Sequence, residues 1–229
     1  MGEIAQDKFF FDGLTQSTLW PLILRFNADM QSDELIGEDL AFTNLVPWLR
    51  SLPDSARLGR ENSPPNFFWD FTENSRKLAL LDSEATIQLA HIVGVSVNAN
   101  SLAKLVLRKD REQAISVLGE NLFKYALMRG QYQVGSVANF FVSKNTDIPL
   151  SNRCFWHGWG ILATLGKNWP KQLEETFLSR IHPLAQSDAV DLDAASFTVS
   201  NDVSSQLWTL VKRCLVREVS PAWAQYFTS

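Results

Sequence analysis

Between residues 69 and 130 the chain reads as one short helix after another, and this run constrains the fold more than anything else in the sequence. Leu102, Leu105 and Val106 share one helical face, as do Ala114, Ile115 and Leu118, and Leu122, Phe123, Tyr125 and Ala126 follow at similar spacing. Spacings of three and four residues are the signature of an amphipathic helix. Punctuation separates the faces. Asp82 or Ser83 can cap a first helix that stops at Gly94; Asn100 or Ser101 opens a second; Asp110 caps a third that ends at Gly119; Asn121 starts a fourth that ends at Gly130. Helices this short are marginal alone, so connections of a few residues must pack them against one another.

The rest of the chain follows the same grammar less clearly. Residues 131–142 suit either a helix from Ser136 or an extended segment. Residues 151–165 read as an aromatic-rich helix ending at Gly166, and Pro170 suits the first turn of the next, which stops at His182-Pro183. Residues 184–201 hold Asp188, Asp191 and Asp193 without a Lys or Arg and read as an exposed loop. Asp202 then caps a last helix with a stripe of Val203, Leu207, Leu210, Val211, Cys214 and Leu215, and the aromatic tail 223–227 folds back on the body. Before residue 67 the pattern is weaker: Thr18 can cap a helix with Pro21 in its first turn, and Pro47, Pro53 and Pro64-Pro65 make 52–66 a linker or long loop. The expected architecture is mainly α, an irregular bundle of short helices with a few short strands at most. An acidic, loop-rich region spans 1–66 and a helical body spans 67–229.

Eight Trp and fifteen Phe supply large rings for a core and for interface anchors. The net charge of −4 argues against a nucleic-acid partner, which demands a dense basic surface. The charge is unevenly spread. Residues 1–40 carry Glu3, Asp7, Asp12, Asp29, Asp33, Glu34, Glu38 and Asp39 against Lys8 and Arg25, whereas Lys104, Arg108, Lys109, Arg111, Lys124 and Arg129 outnumber Asp110, Glu112 and Glu120 in 101–130. These are either solvated faces or two surfaces for unlike partners. The opening residues lack a cleavable-signal pattern and no apolar stretch is long enough to insert in a membrane, so a reduced, cytoplasmic protein is expected.

Motifs for catalysis are missing. Cys154 and His157 share a spacing that suits a helical metal face, but His91, His182 and Cys214 are singletons, and zinc needs three or four ligands. The same pair lacks a local orienting acid for nucleophilic chemistry. Asp191-Leu192-Asp193 opens like a calcium loop and fails at Ala195 and Ser196. No phosphate loop, nucleophile elbow or zinc-protease helix is present. Neither catalytic residues nor a cofactor or metal site is assigned. Trp156 and Trp159 flank His157-Gly158 and serve either the core or a partner.

From Trp69 to Leu178 the order of elements resembles the K component of the type III secretion sorting platform (the YscK/SctK family). The resemblance is carried by Trp69-Asp70-Phe71 with Arg76-Lys77-Leu78-Ala79-Leu80-Leu81, by Leu89-Ala90 with Gly94, and by Val106-Leu107-Arg108 with Asp110 and Arg111. It continues in Ala114 with Leu118-Gly119, Phe123 with Ala126-Leu127, and Gly158-Trp159 with Leu162 and the Trp169-Pro170 helix. It implies a non-enzymatic cytoplasmic adaptor, monomeric in isolation, that joins the cytoplasmic domain of the inner-membrane ring protein to the pod protein. Lys104, Arg108, Lys109, Arg111, Trp156 and Trp159 are the residues put forward for partner contact. Two other readings stay open: a different helical adaptor or secretion chaperone, and a helical enzyme with a non-local site, which a deep polar pocket holding His91 or His157 beside a carboxylate would favour.

Overall fold

The computed structural model describes residues 19, 22, 23, 25–27, 68, 70–141 and 144–227. The linker expected at 52–66, Thr18 and Pro21 of the expected helix start, every acidic residue of 1–40, and Trp69 lie outside them. The chain divides into two compact units, Met1–Leu80 with Ser229, and Leu81–Thr228; the sequence reading placed its division between residues 66 and 67. Of the interpretable part, 79% is helical and none is strand, so the short strands allowed for above do not occur among the described residues.

In the first unit the side chain of Asn27 ties a helical turn to a distant strand of chain. Its Nδ2 donates to the carbonyls of Ile23 (2.8 Å) and Phe68 (2.9 Å), and its Oδ1 accepts from the Phe68 N–H (2.6 Å). Phe71 packs edge-on to Phe26 and to Phe68. A 3-10 helix, Asn74–Leu80, then buries Leu78, Ala79 and Leu80.

The second unit is built on α1 (Ser83–Ala103). Asp82 caps it as expected, its side chain accepting from the Ala85 N–H at 2.8 Å. The helix does not stop at Gly94. It runs on through Val95, Ser96, Val97, Asn98 and Ala99, all buried, and what read as a second helix at Asn100 is its last turn. A helix buried on nearly every side is a central one. Its main partner is α5 (Leu150–Gly166), and the two cross backbone to backbone. A Cβ on Gly94 would lie 1.8 Å from the Cys154 carbonyl oxygen, and one on Gly158 would lie 2.0 Å from that of Ala90. The contact is reciprocal: each helix offers the carbonyl four residues before its glycine to the glycine of the other. Gly94 is therefore required by a close approach, a role that looks identical to a helix stop in sequence.

Shorter helices surround this pair. α2 (Arg108–Leu118) begins without a side-chain cap; Asp110 lies in its first turn, where it complements the helix dipole, rather than at the cap. Gly119, at φ +81°, ends α2 and opens α3 (Glu120–Tyr125), which continues through a π turn, Ala126–Gly130, to Gln131–Gln133. The ambiguous segment beyond resolves into a 3-10 turn, Gly135–Val137, and α4 (Ala138–Phe141).

α6 (Lys171–Ser187) passes straight through Pro183. An internal proline costs about 3 kcal/mol, but Leu173, Phe177, Ile181 and Ala185, four apart and buried, hold one face of the helix while Pro183 faces solvent. The stretch read as an exposed loop contains α7 (Leu192–Ala195), which buries Leu192 and Ala195. α8 (Asn201–Cys214) is capped by Ser200, not Asp202, and its stripe of Leu207, Leu210, Val211 and Cys214 is buried as the spacing requires. A second π turn, Leu215–Val219, leads to a 3-10 helix, Pro221–Phe227. The aromatic tail does fold back: Phe227 meets Trp208 edge-on at 5.6 Å, and its carbonyl accepts from Lys212 Nζ.

Candidate functional site

His157 and both cysteines of the second unit are consumed by the core. Asn98, on α1, donates through Nδ2 to the Gly94 carbonyl (2.8 Å) and meets His157 Nδ1 at 3.0 Å. An amide N–H needs a lone pair there, so His157 carries its proton on Nε2. That Nε2 is buried without a hydrogen-bond partner among the described residues, beside the rings of Phe141 and Phe197. Burial, helped by the charge of Arg153, pulls the His157 pKa down to about 3. The side chain is a neutral core imidazole.

Cys154 is equally occupied. Its thiol donates to the Leu150 carbonyl at 3.3 Å, and burial pushes its pKa up to about 12. Cys214 lies 3.9 Å from Ser96 Oγ, which also bonds Tyr125 Oη at 2.9 Å; burial again dominates and raises the Cys214 pKa to about 11. Neither thiol has the thiolate character that nucleophilic or metal chemistry needs. Among the described residues no group of three or more His, Cys, Asp or Glu could hold a metal ion. Asp191, half of the calcium-like pair, instead caps α7 through the N–H groups of Asp193 and Ala194.

The nearest approach to catalytic geometry is at Asp188, just beyond α6. Its Oδ2 accepts from the Trp159 indole N–H and meets His91 Nε2, both at 2.7 Å. Burial raises the Asp188 pKa, but the bonds from His91 and Trp159 and the charge of His91 outweigh it and hold the carboxyl below its usual range. A carboxylate that orients an imidazole is one part of a triad. No Ser, Thr or Cys side chain among the described residues bonds His91, whose ring packs on Phe155 at 4.6 Å. The group reads as a polar clasp joining α1, α5 and the end of α6.

This arrangement corrects one of the anchors put forward from sequence. Trp159 is 0% exposed with its N–H engaged, so it is a core residue and offers nothing to a partner. Trp156 is half-buried, and its indole nitrogen is buried without a partner among the described residues. The four cations are all exposed where α1 passes into α2. Arg108 pairs with Glu112 one turn on, and Arg111 Nε donates to the Leu105 carbonyl at 2.6 Å, while Lys104 closes α1.

Two features escaped the sequence reading. Among the described residues the exposed large hydrophobic ones, Val106, Leu107, Val117, Leu127, Met128 and Tyr132, all belong to the same stretch as those cations. Beside them opens a groove of about 480 Å³ lined by Ile92, Asn121, Leu122, Lys124, Tyr125, Met128, Arg129 and Glu218. Glu218 accepts from Arg129 (3.2 Å) and Gln133 (3.0 Å), so the two π turns are joined across the groove. A histidine-lined polar pocket is not what this groove is. No protein-family model, curated protein or solved structure matches the chain. No helix among the described residues is long and apolar enough to cross a membrane.

Proposed function

We propose that this protein is a non-enzymatic cytoplasmic adaptor of a type III secretion injectisome, equivalent to the K component. It links the cytoplasmic domain of the inner-membrane ring protein to the pod protein of the sorting platform, and so lies peripheral to the inner membrane through the apparatus. The order of elements quoted from Trp69 to Leu178 supports the family reading. One observation carries the adaptor reading: Cys154, Cys214, His91 and His157 are engaged inside the body, while cations and exposed apolar side chains gather on one stretch, 104–132. Exposed apolar side chains gathered into a contiguous patch are the usual mark of an interaction surface.

The cations at the α1–α2 junction belong to one partner interface in this reading. Replacing Lys104, Arg108, Lys109 and Arg111 together with Glu tests it. All four are exposed, so the fold should persist by circular dichroism. Binding to either the pod protein or the ring protein's cytoplasmic domain should weaken markedly while binding to the other is kept, measured with purified components. Unchanged binding of both by the folded variant removes the role of these cations, and failure of the parent protein to bind either removes the secretion reading.

A further inference from the structure

The groove between α3 and the second π turn is placed and charged as a receptor for a particular kind of segment. Its floor and one wall are apolar: Ile92 from α1, then Leu122, Tyr125 and Met128, three apart along α3 and its π turn. Side chains at that spacing form one continuous ridge. Met128 is 61% exposed at the lip. A methionine there is an adaptable contact for apolar side chains of varied shape. The remaining charges are unequal. Glu218 is held by Arg129 and Gln133, so its carboxylate is already answered. Lys124 is exposed, and no ion pair is recorded for it among the described residues. On the neighbouring helices Arg108 is paired with Glu112, and Lys104, Lys109 and Arg111 outnumber Asp110 and Glu120, so the balance around Lys124 stays positive. Both π turns contribute to its lining, Met128 and Arg129 from one and Glu218 from the other, and such turns are rare and occur frequently at functional sites.

From this charge complementarity we infer that the groove docks an acidic amphipathic segment of a partner protein, with two or three apolar anchors at helical spacing entering between Leu122, Tyr125 and Met128 and a carboxylate facing Lys124. The mode is a helix laid in a groove, with hydrophobic anchors supplying affinity and charge supplying orientation. The inference stands apart from the secretion reading: a groove that selects acidic helices survives if pod and ring proteins do not bind, and the reverse also holds.

A displayed library of random twelve-residue peptides, selected on the full chain, is the direct test. Two variants are kept out of the selection and used only to measure the winners: Met128→Asp, which places a charge at the exposed lip, and Lys124→Glu, which reverses the rim; both positions are exposed, and unchanged circular dichroism and melting establish that the variants fold. The expected result is enrichment of net-acidic sequences with apolar residues at i, i+3 or i+4. The synthesised winners should bind Met128→Asp about tenfold more weakly than the parent chain, and Lys124→Glu several-fold more weakly with reduced salt dependence. Enrichment without an acidic excess, or winners that bind both variants as well as the parent, overturns the inference. So does an absence of enrichment. A concentration-dependent dimer in light scattering that Met128→Asp abolishes would make a second copy the occupant and overturn it equally.

Discussion

Replacing Gly94 with alanine should open the centre of the second unit. In an ordinary helix interior the exchange stabilises by about 1 kcal/mol, because glycine forfeits backbone entropy on folding. Here the new methyl carbon would lie 1.8 Å from the Cys154 carbonyl oxygen, 2.8 Å from its carbonyl carbon and 2.8 Å from the Gly158 nitrogen. All three are backbone atoms, so no side chain can rotate away. Restoring an ordinary 3.4 Å contact requires α1 and α5 to separate locally by about 1.6 Å. Overpacking of a core costs about 1–3 kcal/mol where side chains can adjust, so a backbone clash belongs at or above the top of that range. Net of the helix gain, a loss of at least about 2 kcal/mol is expected. For a unit of this size that corresponds to a fall in Tm of about 4–8 °C. Gly158→Ala should behave alike, its methyl 2.0 Å from the Ala90 oxygen. The double variant should cost less than the sum, because the first separation makes room for the second methyl. Urea unfolding followed by far-UV circular dichroism reads all three. A Gly94→Ala protein as stable as the parent, or two losses that add in full, would show that the helices do not cross backbone to backbone.

Other outcomes follow from the polar core. His157 is neutral when folded and ordinary when unfolded, so the unfolded state binds the extra proton between pH 6.5 and about 3. Stability should therefore fall as pH drops through that window. His157→Leu should flatten the slope, and the ring protons of His157 should not titrate by NMR down to about pH 5. Asp188 is the depressed-carboxylate case: its contribution is present above the unfolded carboxyl pKa and lost as pH falls through its lower folded value. Asp188→Ala strands the Trp159 N–H and should cost about 1–3 kcal/mol in a denaturant titration at neutral pH. Both thiols, pushed up to about 12 and about 11, should resist a disulfide reagent in native buffer and react only on unfolding; immediate labelling of Cys214 would contradict the packing around Ser96 and Tyr125.

Helical class was legible because it is written in local spacing. The caps at Asp82 and Gly119, the Gly166 terminus and the α8 stripe needed only short-range rules. The misreadings were long-range. Gly94 has a reason that lies sixty-odd residues away in α5, and a glycine needed for close approach reads like a stop. Pro183 is outvoted by four buried neighbours on its own helix. Val190, Leu192 and Ala195 are too few to make a period, so α7 looked like loop. The cations at the α1–α2 junction were visible as composition, and their exposure followed from it. Trp159 and Trp156 could not be told apart by spacing, since which ring meets Asp188 depends on where α6 ends. The groove left no local trace: Ile92, Met128 and Glu218 meet only in three dimensions, and π turns have no signature of their own.

The proposed adaptor role requires one polypeptide to hold two partners at once. Analytical ultracentrifugation of the full chain mixed with the purified pod protein and the ring protein's cytoplasmic domain tests this most directly. A single species containing all three, absent from any pairwise mixture, is the expected result. Mutually exclusive pairs, or no association with either component, would contradict it.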